Sequence, residues 1–280
     1  MNAPAPSPLT DLSRLCIHTA TTKPWAIETA IERYAAAGVA GITVWRDTLE
    51  GRRPAKIGEQ IRDHGLEAVS LCRGGFFPSL TAKGRQEAID DNRRAIEQAA
   101  GIGAPLIVLV CGAALGQSLA DSRQQIVDGI AAVLPDAEAA GIRLAIEPLH
   151  PMYADDRSAI NTLAQAHTAC DQLNHPLVGI AADVYHIWWD DDLPAQIAKA
   201  GELDRLFAFH ICDWLTPTSH LLTDRGLMGE GCIDIPAIRA MVEATGFTGY
   251  NEVEIFSTRW WESDQDEFLS RIKDAYLQHS

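Results

Sequence analysis

The stretch Ile142-Arg-Leu-Ala-Ile-Glu147-Pro-Leu-His150 decides how this chain is read. Gly141 stops the helical pattern before it. A short apolar run follows and ends on a carboxylate, Glu147, directly before a proline that has no amide to continue a ladder. Strands covered on both faces read as such unbroken apolar runs, whereas one-sided sheets alternate. The pattern recurs as Val178-Gly-Ile-Ala-Ala-Asp183, Leu206-Phe-Ala-Phe-His210 and Tyr250-Asn-Glu-Val-Glu254. Four apolar strands ending in Glu, Asp, His and Glu point to four ligands converging on one ion.

Upstream, 15–18, 41–45, 67–72 and 105–110 read as four more strands. Between and after them, apolar residues at helical spacing predict helices over 24–37, 54–64, 83–101, 118–140, 159–173, 194–200, 236–245 and 264–278. Glycine recurs at the helix-to-strand joins, as at Gly38, Gly65, Gly141 and Gly246, where a left-handed cap is favoured. Eight strands alternating with about eight helices, without a Gly-x-Gly-x-x-Gly turn after the first, predict the α/β class: a (β/α)8 TIM barrel in a single domain. That domain is expected over 11–280, after a Pro/Ala-rich lead at 1–10 that reads as disordered.

Composition narrows the partners. The chain has 280 residues, 38 acidic against 23 basic, for a formal net charge of -15. That leaves little to bind a phosphate backbone, so nucleic acid is not an expected partner. No segment has the apolar length of a membrane span. Six scattered cysteines without a Cys-x-x-Cys pair read as reduced residues of a cytoplasmic protein.

Active sites of such barrels sit at the C-terminal ends of the strands, where Glu147, Asp183, His210 and Glu254 all fall. Three carboxylates and one imidazole suit one divalent ion, Mn²⁺ best, with Mg²⁺ and Co²⁺ close behind and Zn²⁺ accepted. Glu252 shares strand parity with Glu254 and is its rival. His186 and Asp213 each come three residues after a ligand, as orienting groups or substrate contacts. Trp45 and Arg46 end the second strand, Arg73 follows the third and His18 ends the first, all on the same rim. Trp188, Trp189 and Trp214 add aromatic surface of the kind that packs on sugar faces or marks a subunit contact.

The combination Ala-Ile-Glu147-Pro-Leu-His150, Ala-Asp183-Val-Tyr-His186, Phe-His210-Ile-Cys-Asp213, Arg225-Gly-Leu-Met-Gly229-Glu-Gly231 and Glu252-Val-Glu254-Ile-Phe resembles the sugar phosphate isomerase/epimerase family. These are xylose-isomerase-like barrels that include ketose 3-epimerases, inosose dehydratases and, more distantly, endonuclease IV. The resemblance implies a mononuclear site of Glu147, Asp183, His210 and Glu254, with Glu147 and Glu254 doubling as an acid/base pair. It places His186 and Arg225 against substrate oxygens. His150-Pro-Met-Tyr153 stands where the ketose epimerases carry a further acid, so His150 joins the candidate substrate contacts. The third and fourth strand ends read Cys72-Arg73-Gly74 and Cys111-Gly112, without the extra histidines of a three-zinc nuclease site.

The implied chemistry is enolisation of a small carbohydrate. A chelated carbonyl and neighbouring hydroxyl make a carbon-bound proton removable by a carboxylate. Return of the proton to the other face is epimerisation, and return to the adjacent carbon is isomerisation. Departure of a β-hydroxyl instead makes the enzyme a dehydratase or lyase of a keto-sugar, the alternative reading, which extends to one subunit of a heteromeric enzyme. A homo-oligomer, dimer or tetramer, is the family's habit.

Overall fold

The computed structural model describes residues 8–280. Its strands are β1 (Leu15–His18), β2 (Gly41–Trp45), β3 (Glu67–Gly75), β4 (Leu106–Val110), β5 (Arg143–Glu147), β6 (Val178–Asp183), β7 (Leu206–Ile211), β8 (Asp213–Trp214), β9 (Arg225–Gly226) and β10 (Asn251–Val253). Eight of them close a parallel barrel in the order β1-β10-β7-β6-β5-β4-β3-β2, while β8 and β9 pair with each other as a small antiparallel ribbon above it. Helices α1 (Ile27–Ala36), α2 (Pro54–Asp63), α3 (Ala82–Ile102), α4 (Leu119–Ala140), α5 (Leu163–Leu173), α6 (Val184–Ile187), α7 (Leu193–Glu202), α8 (Ile235–Ala244), α9 (Thr258–Trp261) and α10 (Gln265–His279) follow the strands around. Most of the expected disordered lead, 1–7, lies outside the described residues; Leu9 and Leu12 pack against the core.

The apolar runs do what their composition asks. Every residue of β4 is buried, and so is every residue of β6. Ile42, Ile107, Leu144, Ile180 and Phe209 each sink into the layer between sheet and helices, and burying one such side chain is worth about 1.5–3 kcal/mol. Helix termini obey their local chemistry as well. The Ser118 hydroxyl accepts from the Asp121 amide at 3.0 Å to start α4, and Gly141 ends it at φ 67°. Five of the six cysteines are buried and free; Cys232 is exposed and free.

Of the boundaries that differ from the sequence reading, three bear on the site. Helix α5 starts at Leu163 rather than 159, because the Ala159 amide donates to the Gly112 carbonyl and Thr162 caps the helix. Strand β3 runs past Cys72 to Gly75, where φ is 108° and a Cβ would run into the Val110 carbonyl. The buried Asn92 of α3 fixes that end, accepting from the Gly75 amide at 2.7 Å and donating to its carbonyl at 2.8 Å. Strand β10 stops at Val253, so Glu254 sits just beyond it, its amide still donating to the Ile211 carbonyl at 3.2 Å.

Candidate metal centre and active site

Glu147 is the last residue of β5, Asp183 the last of β6, His210 lies near the end of β7, and Glu254 follows β10. In-register pairing sets Asp183 beside His210, so these side chains share one height. One ligand-type atom from each of the four lies within 4.8 Å of the others, and all four residues are buried. His210 Nδ1 is 3.1 Å from Glu147 Oε1 but not aligned for a hydrogen bond. Both His210 nitrogens and Glu147 Oε1 are buried without a hydrogen-bond partner. Buried polar atoms are almost always satisfied; His210 Nδ1 and Glu147 Oε1, both orphaned amid oxygen-rich donors, fit a divalent cation beside them, while His210 Nε2 faces the deeper Glu252 Oε2 at 3.8 Å.

The carboxylates and imidazoles shift one another strongly. Burial lifts the Asp183 carboxyl to about 7, with Arg225 holding it back. For Glu254 burial is outweighed by Arg225 and His18, and the carboxyl is held well below its ordinary range. Burial lowers His210, yet Glu252 and Glu147 outweigh it and bring the imidazole up to about 9. Arg225 reaches in from β9: its Nη1 donates to Asp183 Oδ2 at 3.1 Å and to Glu254 Oε2 at 2.8 Å. His186 is pushed well below its usual value by burial and by Arg225, so its ring is neutral. Its Nδ1 accepts the His150 amide at 3.2 Å, which puts the proton on Nε2. Arg225 Nη2, 3.3 Å from that Nε2, is then a donor facing a donor, not a hydrogen bond. Nε2–H is left to serve Asp183 Oδ2, 3.6 Å away, or a ligand.

Glu252 lies one layer deeper. It accepts from Thr43 Oγ1 at 2.6 Å and lies 3.2 Å from His18 Nε2, while His18 Nδ1 is 3.1 Å from Glu254 Oε1. His18 thus bridges the two glutamates, and despite burial they raise it to about 9. The two residues of like sequence parity occupy two tiers: Glu254 stands with Glu147, Asp183 and His210, and Glu252 lies beneath it.

A cavity of about 190 Å³ opens over Glu147 and Glu254, bounded by Trp45, Arg73, Tyr153, Arg157, His186 and Phe256 among others. It is smaller than the about 300–1,000 Å³ of drug-sized ligand sites, which leaves room for one small molecule. A larger cleft of about 540 Å³ lies where strands begin, near Arg14, Glu67 and Arg143, and holds none of the four clustered residues.

Three expected substrate contacts are placed elsewhere. Asp213 is fully buried, and its oxygens accept four backbone amides: Trp214 at 2.8 Å, Gly229 at 3.0 Å, Gly231 at 2.8 Å and Ile233 at 3.0 Å. It ties down the segment after β9, and so holds the strand that carries Arg225. Arg46 pairs bidentately with Asp91 at 2.7 and 2.9 Å and donates to Gln98 at 2.7 Å, which turns it toward α3. The His150 ring packs against Trp189 and Trp214 with centroids 5.7 and 5.1 Å away, and its Nδ1 accepts the Met152 amide. Trp45, Arg73, His186 and Arg225 do line the cavity, and His18 lies beneath it with Trp45 Nε1 3.2 Å from its Nδ1. The sequence reading left out Tyr153, Arg157 and Phe256; the Phe after Glu254-Ile was the only one with a positional cue.

The topology defines a TIM barrel with a candidate metal site at its strand ends, and the comparisons name its kind. Residues 31–275 match the family described as xylose isomerase-like TIM barrel, and the chain belongs to that family. The solved structure of protein SMc04130 from Sinorhizobium meliloti 1021 superposes with a TM-score of 0.92 at 48% identity, covering 95% of this chain and 98% of that one. IolI protein, solved with a bound zinc atom, superposes with a TM-score of 0.82 at 22% identity over 94% of this chain and 96% of its own. Inosose isomerase of Halalkalibacterium halodurans is 21% identical over 248 residues, 83% of this chain and 86% of that protein. Among the described residues no helix is long and apolar enough to cross a membrane.

Proposed function

We propose that this chain is a divalent-metal-dependent isomerase or epimerase of a small sugar, ketose or sugar acid, acting in the cytoplasm through an enediolate. The observation that carries the reading is the cluster of Glu147, Asp183, His210 and Glu254 with its unpartnered buried atoms. Kinship with a protein named inosose isomerase supports the isomerase class. A divalent cation held by these four, Mn²⁺ by donor chemistry, would polarise a carbonyl and acidify the neighbouring carbon–hydrogen bond.

Glu147 and Glu254 supply the proton transfers. Their strands stand three steps apart around the barrel, through β6 and β7, so they approach a bound substrate from different sides. One takes the proton from carbon and the other returns it, to the opposite face for epimerisation or to the adjacent carbon for isomerisation. Arg225 and His18 keep Glu254 ionised and able to act as the base. The His186 Nε2–H steadies a substrate oxygen, and the surrounding apolar and aromatic walls keep bulk water from the enediolate.

The test is proton exchange in heavy water with a panel of neutral ketoses, keto-uronates and inososes, on protein supplied with Mn²⁺, on protein stripped by chelator, and on Glu147→Gln. Deuterium enters the carbon next to the carbonyl only with the metal present, and the variant loses it while unfolding at a similar temperature. A product lighter by one water identifies β-elimination from the same enediolate. Absence of exchange and of product across the panel with metal bound refutes the proposal.

A further inference from the structure

The cavity that holds Glu147 and Glu254 is also lined by two arginines, Arg73 from β3 and Arg157 from the segment between β5 and α5. Neither makes a side-chain hydrogen bond or an ion pair among the described residues. The contrast with their neighbours is sharp: Arg46, twenty-seven positions before Arg73, is locked to Asp91, and Arg225 to Asp183 and Glu254. Acids outnumber bases 38 to 23 in this chain, so unpaired guanidinium groups do not arise from a shortage of partners. Each is instead laid on an aromatic ring, Arg73 4.2 Å from the centroid of Phe76 and Arg157 5.6 Å from that of Tyr153. A cation–π contact of this kind gives the charge a partner without giving the N–H donors an oxygen acceptor. Arg73 also feels its neighbour: after burial, the charge of Arg157 is the next influence that lowers it. Two partly buried like charges held near one another are unfavourable unless an anion joins them.

We propose that the substrate carries an anionic oxygen group, a carboxylate or a phosphate, and that Arg73 and Arg157 receive it within this cavity. The planar donor fork of arginine matches either anion bidentately. The cavity is then bipolar: carboxylates gathered for a cation at the strand ends, unpaired guanidiniums from β3 and from the segment after β5 on its wall. A sugar acid or sugar phosphate is thereby preferred over the neutral polyol of the same length. This inference rests on the enolising site only in assigning the anion to the same molecule.

The experiment is calorimetric binding to the full chain with Mn²⁺, using three ligands that cannot enolise: glucitol, gluconate and glucitol 6-phosphate. One of the anions binds at least about tenfold more tightly than glucitol, as hydrogen bonds to charged groups imply, and which one wins separates carboxylate from phosphate. Arg157→Gln removes that preference while glucitol binding stays within twofold; Arg73→Lys, which keeps the charge but not the fork, removes part of it. Equal binding of all three ligands, or equal loss of all three in both variants with an unchanged melting temperature, overturns the proposal. An anion preference that survives without any proton exchange would sink the enolisation reading alone. Exchange with neutral and anionic ketoses at equal kcat/KM would sink the anion subsite alone.

Discussion

Replacing Asp213 with Asn tests what this buried carboxylate does. Oδ1 accepts from Trp214 and Ile233, and Oδ2 from Gly229 and Gly231. An amide can keep only one of these oxygens; its NH₂ must then face two backbone donors. Two hydrogen bonds to a charged acceptor are lost, each worth about 1.5–3 kcal/mol, for a total of about 3–6 kcal/mol. No re-orientation relieves this, because flipping the amide only exchanges one pair of orphaned amides for the other. A Cβ on Gly231 would press against Asp213 Oδ1, so the loop has no slack to move away. Urea unfolding of metal-free protein reads the stability, and kcat and KM on whichever substrate exchanges its proton read the site. The expected result is a midpoint shifted by several kcal/mol in ΔG, with kcat falling because β9 no longer holds Arg225. Stability within about 1 kcal/mol of the wild type, together with a raised KM, would refute this and restore Asp213 as a substrate contact.

Arg46→Met should cost about 1 kcal/mol or less, since its pair with Asp91 is half-exposed, and should leave KM unchanged; a large rise in KM would mean that Arg46 turns to the substrate after all. The metal-free protein should lose stability as pH rises from about 6.5 to about 9. His18 and His210 have folded values raised to about 9, so their contribution is complete below the unfolded value near 6.5 and is lost as pH climbs through 9; Asp183, raised to about 7, pushes the same way below that. A melting temperature that is flat or rising across that window in chelator contradicts this, and saturating Mn²⁺ should flatten the slope.

The sequence made the frame and the cluster of Glu147, Asp183, His210 and Glu254 legible because both rest on strong local signals. An apolar run ending in an acid before proline has few readings, and four such runs in one chain have fewer. The start of α5 was not legible: Ala159 and Ile160 have helical spacing with Leu163 and Ala166, yet they are buried by a loop that pairs with Gly112. Asp213 and Asp183 look alike as acids near strand ends, and only the third dimension tells which one meets loop amides. Arg46 and Arg73 were equal candidates, and what separates them is Asp91, forty-five positions on from Arg46 in α3. The isolation of Arg157 is a fact about everything around it and leaves no trace in its own neighbours along the chain.

The carbonyl of Leu221 has a consequence for how ligands come and go. It accepts the hydroxyl of Tyr153 at 2.6 Å and that of Tyr185 at 3.0 Å, so both of its lone pairs are taken, and Leu222 beside it forms part of the cavity wall. Lifting this segment breaks both bonds together, at roughly 1 kcal/mol each, which favours the shut arrangement by about thirtyfold before any ligand arrives. That part of the cavity wall is therefore in place before a ligand arrives, and little of a ligand's affinity is diverted into ordering it. Such a site selects by shape: a molecule that fits enters a finished mould, and one atom too many on the Leu222 side meets a wall that does not readily move.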